Sequence, residues 1–302
     1  MTVSVPDPPQ PANPTNLWLG LIVLLWAQLF YACIYGWRFG EYYSYGWYVP
    51  PLALLFSYRL RHRWKDARPR PLRPATGISA LLALCALLTV LRTLGRVDPR
   101  WTLPLWIQAA VVIAVTFVLL HRIGGKDLTR RFVPVVAFAC SAIPLPSVVE
   151  SMMVANLTDS VIAASVSVLE WVGQPVRAMG DRISRMGEVV HVTEGCSGIK
   201  SAQSFLMAAL FFGEWMGLRA SARWWMIAAG IATAWTLNVT RASTLAWIRF
   251  ENGEVAFEQA HDLAGIAAFV IGSGLLLGVA HLLDRDNPSA RKTRRTVKWS
   301  AA

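Results

Sequence analysis

The chain has 302 residues, 55% of them hydrophobic and only 16% charged, with a mean hydropathy of +0.42, a composition that excludes an ordinary soluble globular domain and makes lipid the expected solvent. A formal net charge of +11 would suit nucleic acid, but Lys and Arg fall in short clusters between long apolar runs, the pattern of membrane loops, so no nucleic-acid partner is expected. The four cysteines show neither a disulfide framework nor CxxC spacing, and no metal or organic cofactor is expected.

The first 16 residues are rich in Pro and free of Lys and Arg. They lack the basic start and small-residue cleavage site of a removable signal peptide, so the first apolar run is expected to be retained. Apolar stretches near the bilayer-crossing length of about 20 residues occur at 17–37, 42–58, 76–94, 101–120, 132–149, 197–218, 224–248 and 263–283. The run at 42–58 contains Pro50 and Pro51, and that at 132–149 contains Pro134, Pro144 and Pro146. The expected fold is an all-α polytopic membrane protein of about eight transmembrane helices.

Cytoplasmic loops keep an excess of Lys and Arg. Seven basic residues lie in 59–73, four in 122–131, two at Arg219 and Arg223, and six from Arg285 onward, which alternate correctly with eight spans. Both termini are therefore expected in the cytoplasm; three arginines in 92–100 are the discordant loop. The expected organisation is a bundle of about five spans over 1–149, an outer-face segment over 150–195, three catalytic spans over 196–284 and a basic cytoplasmic tail over 285–302. Val149, Met153, Leu157, Val161, Val168 and Trp171 are spaced as one face of an interfacial amphipathic helix. Val190 and Val192 flank His191 in an alternation that predicts a short strand leading to Cys196.

Cys33, Cys85 and Cys140 lie in apolar runs, where a thiol acts as a small hydrophobe. Cys196 instead has polar, glycine-rich surroundings, Glu194 to Ser201, at the start of a span, where the helix dipole and Lys200 favour a thiolate and Glu194 opposes it. Arg241 sits within an apolar run at a cost of at least about 2.5 kcal/mol, and Asn238, three residues earlier, shares its helix face. Its bland explanation is an ion pair with Glu214 on the preceding span. His261, followed by Asp262 and by Gly265 one turn on, has a side chain suited to proton transfer. The charge-derived topology places Cys196, Arg241 and His261 at one outer interface; His191 is a reserve candidate there, whereas His62, His121 and His281 fall on the opposite side.

At these residues the chain resembles the exosortase and archaeosortase family of membrane transpeptidases, with three separated motifs in order: Cys196-Ser-Gly-Ile199, Asn238-Val-Thr-Arg241 and His261-Asp-Leu-Ala-Gly265. The segment QPVRAMGDRI, from Gln174, is similar to the family's stretch ahead of the cysteine, and the resemblance covers mainly 174–283. Lys200 stands where arginine is more often expected, which keeps the charge but loses bidentate geometry. The resemblance implies cleavage of a carboxy-terminal sorting signal (motif, membrane helix and basic tail) on exported proteins at the bacterial cytoplasmic membrane. Cys196 would form a thioester, Arg241 would stabilise the oxyanion and His261 would move protons, with Ser197, Lys200, Asn238 and Asp262 in support and membrane lipid as surroundings.

Two other readings start from the same residues. Gly195-Cys-Ser197-Gly198 matches the G-x-S-G of rhomboid-like intramembrane serine proteases, with His261 as base. A transporter or envelope assembly factor would use Arg241 and Glu214 to line a path, although no internal repeat supports it.

Overall fold

Apolar chain in lipid must satisfy its backbone N–H and C=O groups internally, and a helix does this within one segment. The computed structural model describes residues 14–40, 42–61, 74–98, 101–191 and 199–285. In chain order the helices are α1 (Pro14–Phe39), α2 (Val49–Arg59), α3 (Pro74–Val97), α4 (Thr102–Cys140), α5 (Ser147–Trp171), α6 (Ile199–Trp215), α7 (Ala220–Asn252) and α8 (Glu254–Arg285). A 3-10 turn, Ser44–Tyr48, precedes α2. Helices α1, α3, α4, α5 and α8 are long and apolar enough to cross a membrane. The protein is a multi-pass, predominantly α-helical membrane protein.

Three of the expected elements come out differently. The run at 42–58 is the 3-10 turn followed by an 11-residue α2, about 17 Å long and short of the bilayer's hydrocarbon core of about 30 Å. The run at 132–149 is not one helix: α4 ends at Cys140, and α5 begins at Ser147 directly after Pro146. Within the basic stretch 122–131 the helix is broken at Gly125 (φ 68, ψ −159), a left-handed conformation suited to glycine that separates two helical segments of α4.

The third difference is α5. A helix does cover the first part of the outer segment, but its length and composition are those of a span. Its buried stripe is Val161, Ile162, Ser165 and Leu169. Of the stripe expected from spacing, Val149, Met153, Val168 and Trp171 are exposed. After α5 come three strands, β1 (Arg177–Met179), β2 (Arg182–Arg185) and β3 (Glu188–His191), in an antiparallel meander of order β1-β2-β3. The strand expected around His191 is β3, and the meander is the departure from an all-α chain among the described residues.

The chain divides into two compact units, Met1–Tyr35 with Pro50–Val136, and Gly36–Val49 with Ala137–Ala302. In the first, Trp26 Nε1 donates to Thr116 Oγ1 at 3.1 Å. Arg92, one of the discordant arginines, lies 5.1 Å over the Tyr31 ring, a contact that suits a cation in an apolar setting.

The second unit is organised around α7. Helix α6 runs antiparallel to it: a Cβ at Gly230 would sit 3.0 Å from Phe205 O and 3.1 Å from Ala209 Cβ, while further along Glu214 pairs with Arg223 at 2.9 Å. Helix α8 is also antiparallel, with Gly272 against Leu237 and Gly265 against Arg241. Helix α5 runs in the same direction as α7, since Ser160 accepts from Trp235 Nε1 at 3.2 Å and Leu169 shares a core cluster with Leu245 and Ala246. That cluster also takes in Val176 and Ile183, so the sheet is seated on the C-terminal end of α7. The start of α6, the end of α7, the start of α8 and the sheet thus occupy one end of this unit.

Candidate active site

Helices α7 and α8 form a hairpin joined at Gly253, whose φ of 85° is a left-handed conformation that a β-branched residue would resist. Such a tight join keeps two long helices in contact, and Gly265 opposite Arg241 leaves room for the guanidinium, whose Cζ would lie 3.9 Å from a Cβ there. The result is a direct contact between residues 20 apart in sequence: Arg241 Nη2 and His261 Nε2 are separated by 3.0 Å.

The chemistry of the two groups fixes the direction of this bond. A guanidinium has only donors, so His261 Nε2 accepts and the ring carries its proton on Nδ1. That nitrogen faces Asp262 Oδ1 at 3.4 Å, a long contact to a carboxylate that is 93% exposed, so Asp262 can orient the ring only weakly. Phe257, one turn earlier on α8, packs against the imidazole with ring centroids 6.0 Å apart. The order Asp262, His261, Arg241 therefore runs from solvent into the half-buried helix interface.

Asn238 is 3% exposed and lines an apolar cavity of about 470 Å³ between α5, α6 and α7, with Val161, Ala202 and Trp235 among its walls. Lys200, the second residue of α6, is exposed, and its ammonium lies 5.9 Å over the Tyr42 ring. Cys196, Ser197 and the side chain of His191 lie outside the described residues. Glu214, the partner in the bland explanation of Arg241, instead pairs with Arg223 at 2.9 Å, because Gly213 and Glu214 on α6 lie level with the start of α7, far along the helix from Arg241.

Around the core pair lie groups the sequence did not single out. Arg185 of β2 reaches Glu251 Oε1 at 2.5 Å, and Gln174 Nε2 reaches the same oxygen at 3.2 Å, tying the sheet to the end of α7. The Arg185 hydrogen bond and charge hold the Glu251 carboxyl below the usual carboxylate range. Arg249 and Glu254 bracket the Gly253 join in an ion pair of 2.5 Å. Elsewhere in the unit Tyr43 donates its hydroxyl proton to Glu150 and accepts from Leu145 N–H at 2.9 Å. A lone acid in an apolar run, Glu150, was the available signal for that pair. Among the described residues no three His, Cys, Asp or Glu side chains group as metal ligands.

The model of one protein family, described as transmembrane exosortase (Exosortase_EpsH), matches residues 37–278. The chain belongs to this family. No curated protein and no solved structure matches it. The match begins far ahead of the motif-bearing region at 174–283, so the N-terminal helices of the exosortase from Trp37 onward belong to the family pattern as well. At family level the activity is that of a membrane transpeptidase or protease.

Proposed function

We propose that this exosortase is a cysteine transpeptidase or protease that cleaves carboxy-terminal sorting signals of exported proteins through a thioester on Cys196. The observation that carries the proposal is the 3.0 Å contact between Arg241 and His261. It joins a cation able to hold an oxyanion with an imidazole able to move a proton, the two groups that acyl transfer to a thiol requires. The position of α6 supports it. Phe205 is level with Gly230, so the helix start at Ile199 is about level with Thr236 at roughly 1.5 Å per residue. Cys196 precedes that start by three residues in sequence.

In this reading His261 takes the Cys196 proton as Sγ attacks the scissile carbonyl carbon. Arg241 turns its fork to the developing oxyanion, which frees Nε2 of His261 for the proton. Collapse of the tetrahedral intermediate breaks the C–N bond, the imidazolium gives its proton to the leaving amine, and the acyl group remains as a thioester. An acceptor amine or water then attacks the thioester, His261 removes the attacking group's proton, and the Cys196 thiol is regenerated. Asn238 and Asp262 are the supporting residues proposed beside Arg241 and His261, and Ser197 and Lys200 those proposed beside the nucleophile.

The setting proposed is a bacterial cytoplasmic membrane crossed several times, with both termini inside and this end of the second unit outside. The substrates carry a motif, a membrane helix and a basic tail. The test is a tagged, membrane-anchored substrate supplied to the enzyme and probed for a covalent adduct that hydroxylamine releases. The adduct should form with the wild type and be absent in Cys196→Ala, and Cys196→Ser should be nearly as inactive. An adduct that persists in Cys196→Ala and vanishes in Ser197→Ala would replace this mechanism by a serine one.

A further inference from the structure

Strand β3 is an edge of the meander, and no strand lies beside its outer edge among the described residues. The phase of its backbone follows from the hairpin. Met186 and Gly187 both have positive φ (48° and 94°), as a two-residue primed turn requires. Such a turn makes the flanking residues, Arg185 opposite Glu188, the hydrogen-bonded pair. The next pair, Ser184 opposite Val189, is therefore non-bonded, and Val189 directs its N–H and C=O away from β2. Val190 turns its main chain inward to Ile183, and the backbone of His191 turns outward again. Among the described residues, none of 188–190 makes a backbone hydrogen bond outside the sheet.

A cavity of about 460 Å³ lies along this edge. Val189 and Val190 both line it, and since successive side chains of a strand point to opposite faces, a space that touches both meets the strand edge-on. Its other wall is Arg249 with Glu254, Phe257, Glu258 and His261, so the outward main-chain groups of β3 and the candidate proton-transfer residue open into one space.

We propose that β3 is the docking rail for the substrate: the extended peptide just ahead of the substrate's membrane helix adds to the sheet as a fourth strand. The inference rests on the transpeptidase or protease reading and specifies how that site holds its polypeptide. Val189 exchanges main-chain hydrogen bonds with the peptide, and alternate peptide side chains rest against Val190 and Phe257. The scissile bond then lies along the cavity towards His261 and Arg241. The lining charges favour this occupant over an anionic lipid headgroup, because Glu254 and Glu258 face a single Arg249 that Glu254 already engages at 2.5 Å, whereas a peptide main chain is neutral. Continuity of the space with His261 favours a substrate over a structural partner.

The probe is a synthetic peptide of about ten extended residues joined to an apolar helix of about 20 residues and a Lys/Arg tail. Its binding is measured on the Cys196→Ala variant in liposomes, so the readout does not depend on chemistry. Val189→Pro removes the outward N–H while leaving the β2–β3 bonds, a substitution an edge strand accommodates, and it should weaken binding by about tenfold, the value of one or two main-chain bonds. A second series leaves the protein untouched and replaces single amides of the peptide by esters, each removing one donor. Binding should fall at every second position. Unchanged binding with Val189→Pro, or an ester series without a two-residue period, overturns the docking rail. Turnover is scored separately on the wild type. Cleavage that ignores both perturbations leaves the proposed function standing without the rail, and two-residue periodicity without a Cys196-dependent adduct leaves the rail without the cysteine mechanism.

Discussion

Replacing Arg241 by Lys asks whether the residue acts as a charge or as a fork. Both side chains are cations, so the local field is largely kept, but the ammonium lies one bond nearer the backbone and lacks the planar array that lets a guanidinium hold two partners in fixed geometry. In the resting structure one of those partners is His261, at 3.0 Å from Nη2. Gly265 leaves 3.9 Å between a Cβ position and the guanidinium carbon, so the space admits the smaller head without strain and the variant should fold. The expected effect is the loss of one oxyanion donor that acts in the transition state, about 100-fold to 1,000-fold in kcat or about 2.7–4 kcal/mol. Steady-state cleavage of the anchored substrate in liposomes should show this fall in kcat and kcat/KM together with little change in KM. Activity within about tenfold of the wild type would mean that a point charge suffices, and the oxyanion role assigned to Arg241 would be wrong.

Three further outcomes follow from the packing, the electrostatics and the topology. A Cβ at Gly272 would lie 2.2 Å from Cζ of Phe205, a ring only 1% exposed, so Gly272→Ala should cost about 1–3 kcal/mol by overpacking. A clearly lower unfolding temperature in detergent checks this, and an unchanged one would refute the close approach of α6 and α8. Because the Glu251 carboxyl is held below its usual range, its link to Arg185 is fully present at neutral pH and fades as pH falls below the ordinary carboxylate range and through the lowered value. Glu251→Gln should therefore speed amide exchange in β2 and β3 at neutral pH and match the wild type in acid; equal exchange at neutral pH would show that the link does not pin the sheet. A tag placed within 251–259 should be reached from outside intact cells and tags at either terminus should not, whereas an externally accessible carboxy terminus would reverse the proposed orientation.

Much of this architecture can be read from residue order because its causes are local. Apolar runs become helices since lipid offers the backbone no partner, and the alternation around His191 becomes β3 since a period of two suits a strand. The pairing of Arg241 with His261 was also within reach, because the two lie 20 residues apart on either side of a single glycine join, and adjacent helices in such a hairpin are neighbours in space. Other features depended on which helices meet. Spacing in α5 suggested a face of Val149, Met153, Leu157, Val161, Val168 and Trp171, of which Val161 alone belongs to the buried stripe of Val161, Ile162, Ser165 and Leu169. In water an apolar stripe marks the protein-facing side, but lipid tails are as apolar as leucine, so the pattern alone does not choose between bilayer and neighbour. For Glu214, polarity in a span calls for a partner without naming it, and the antiparallel register of α6 on α7 selects Arg223. The cavity joining Val189 to His261 required both decisions at once, the seating of the sheet on Leu169 and Leu245 and the tight α7–α8 join, neither of which is written in the spacing of the residues that line it.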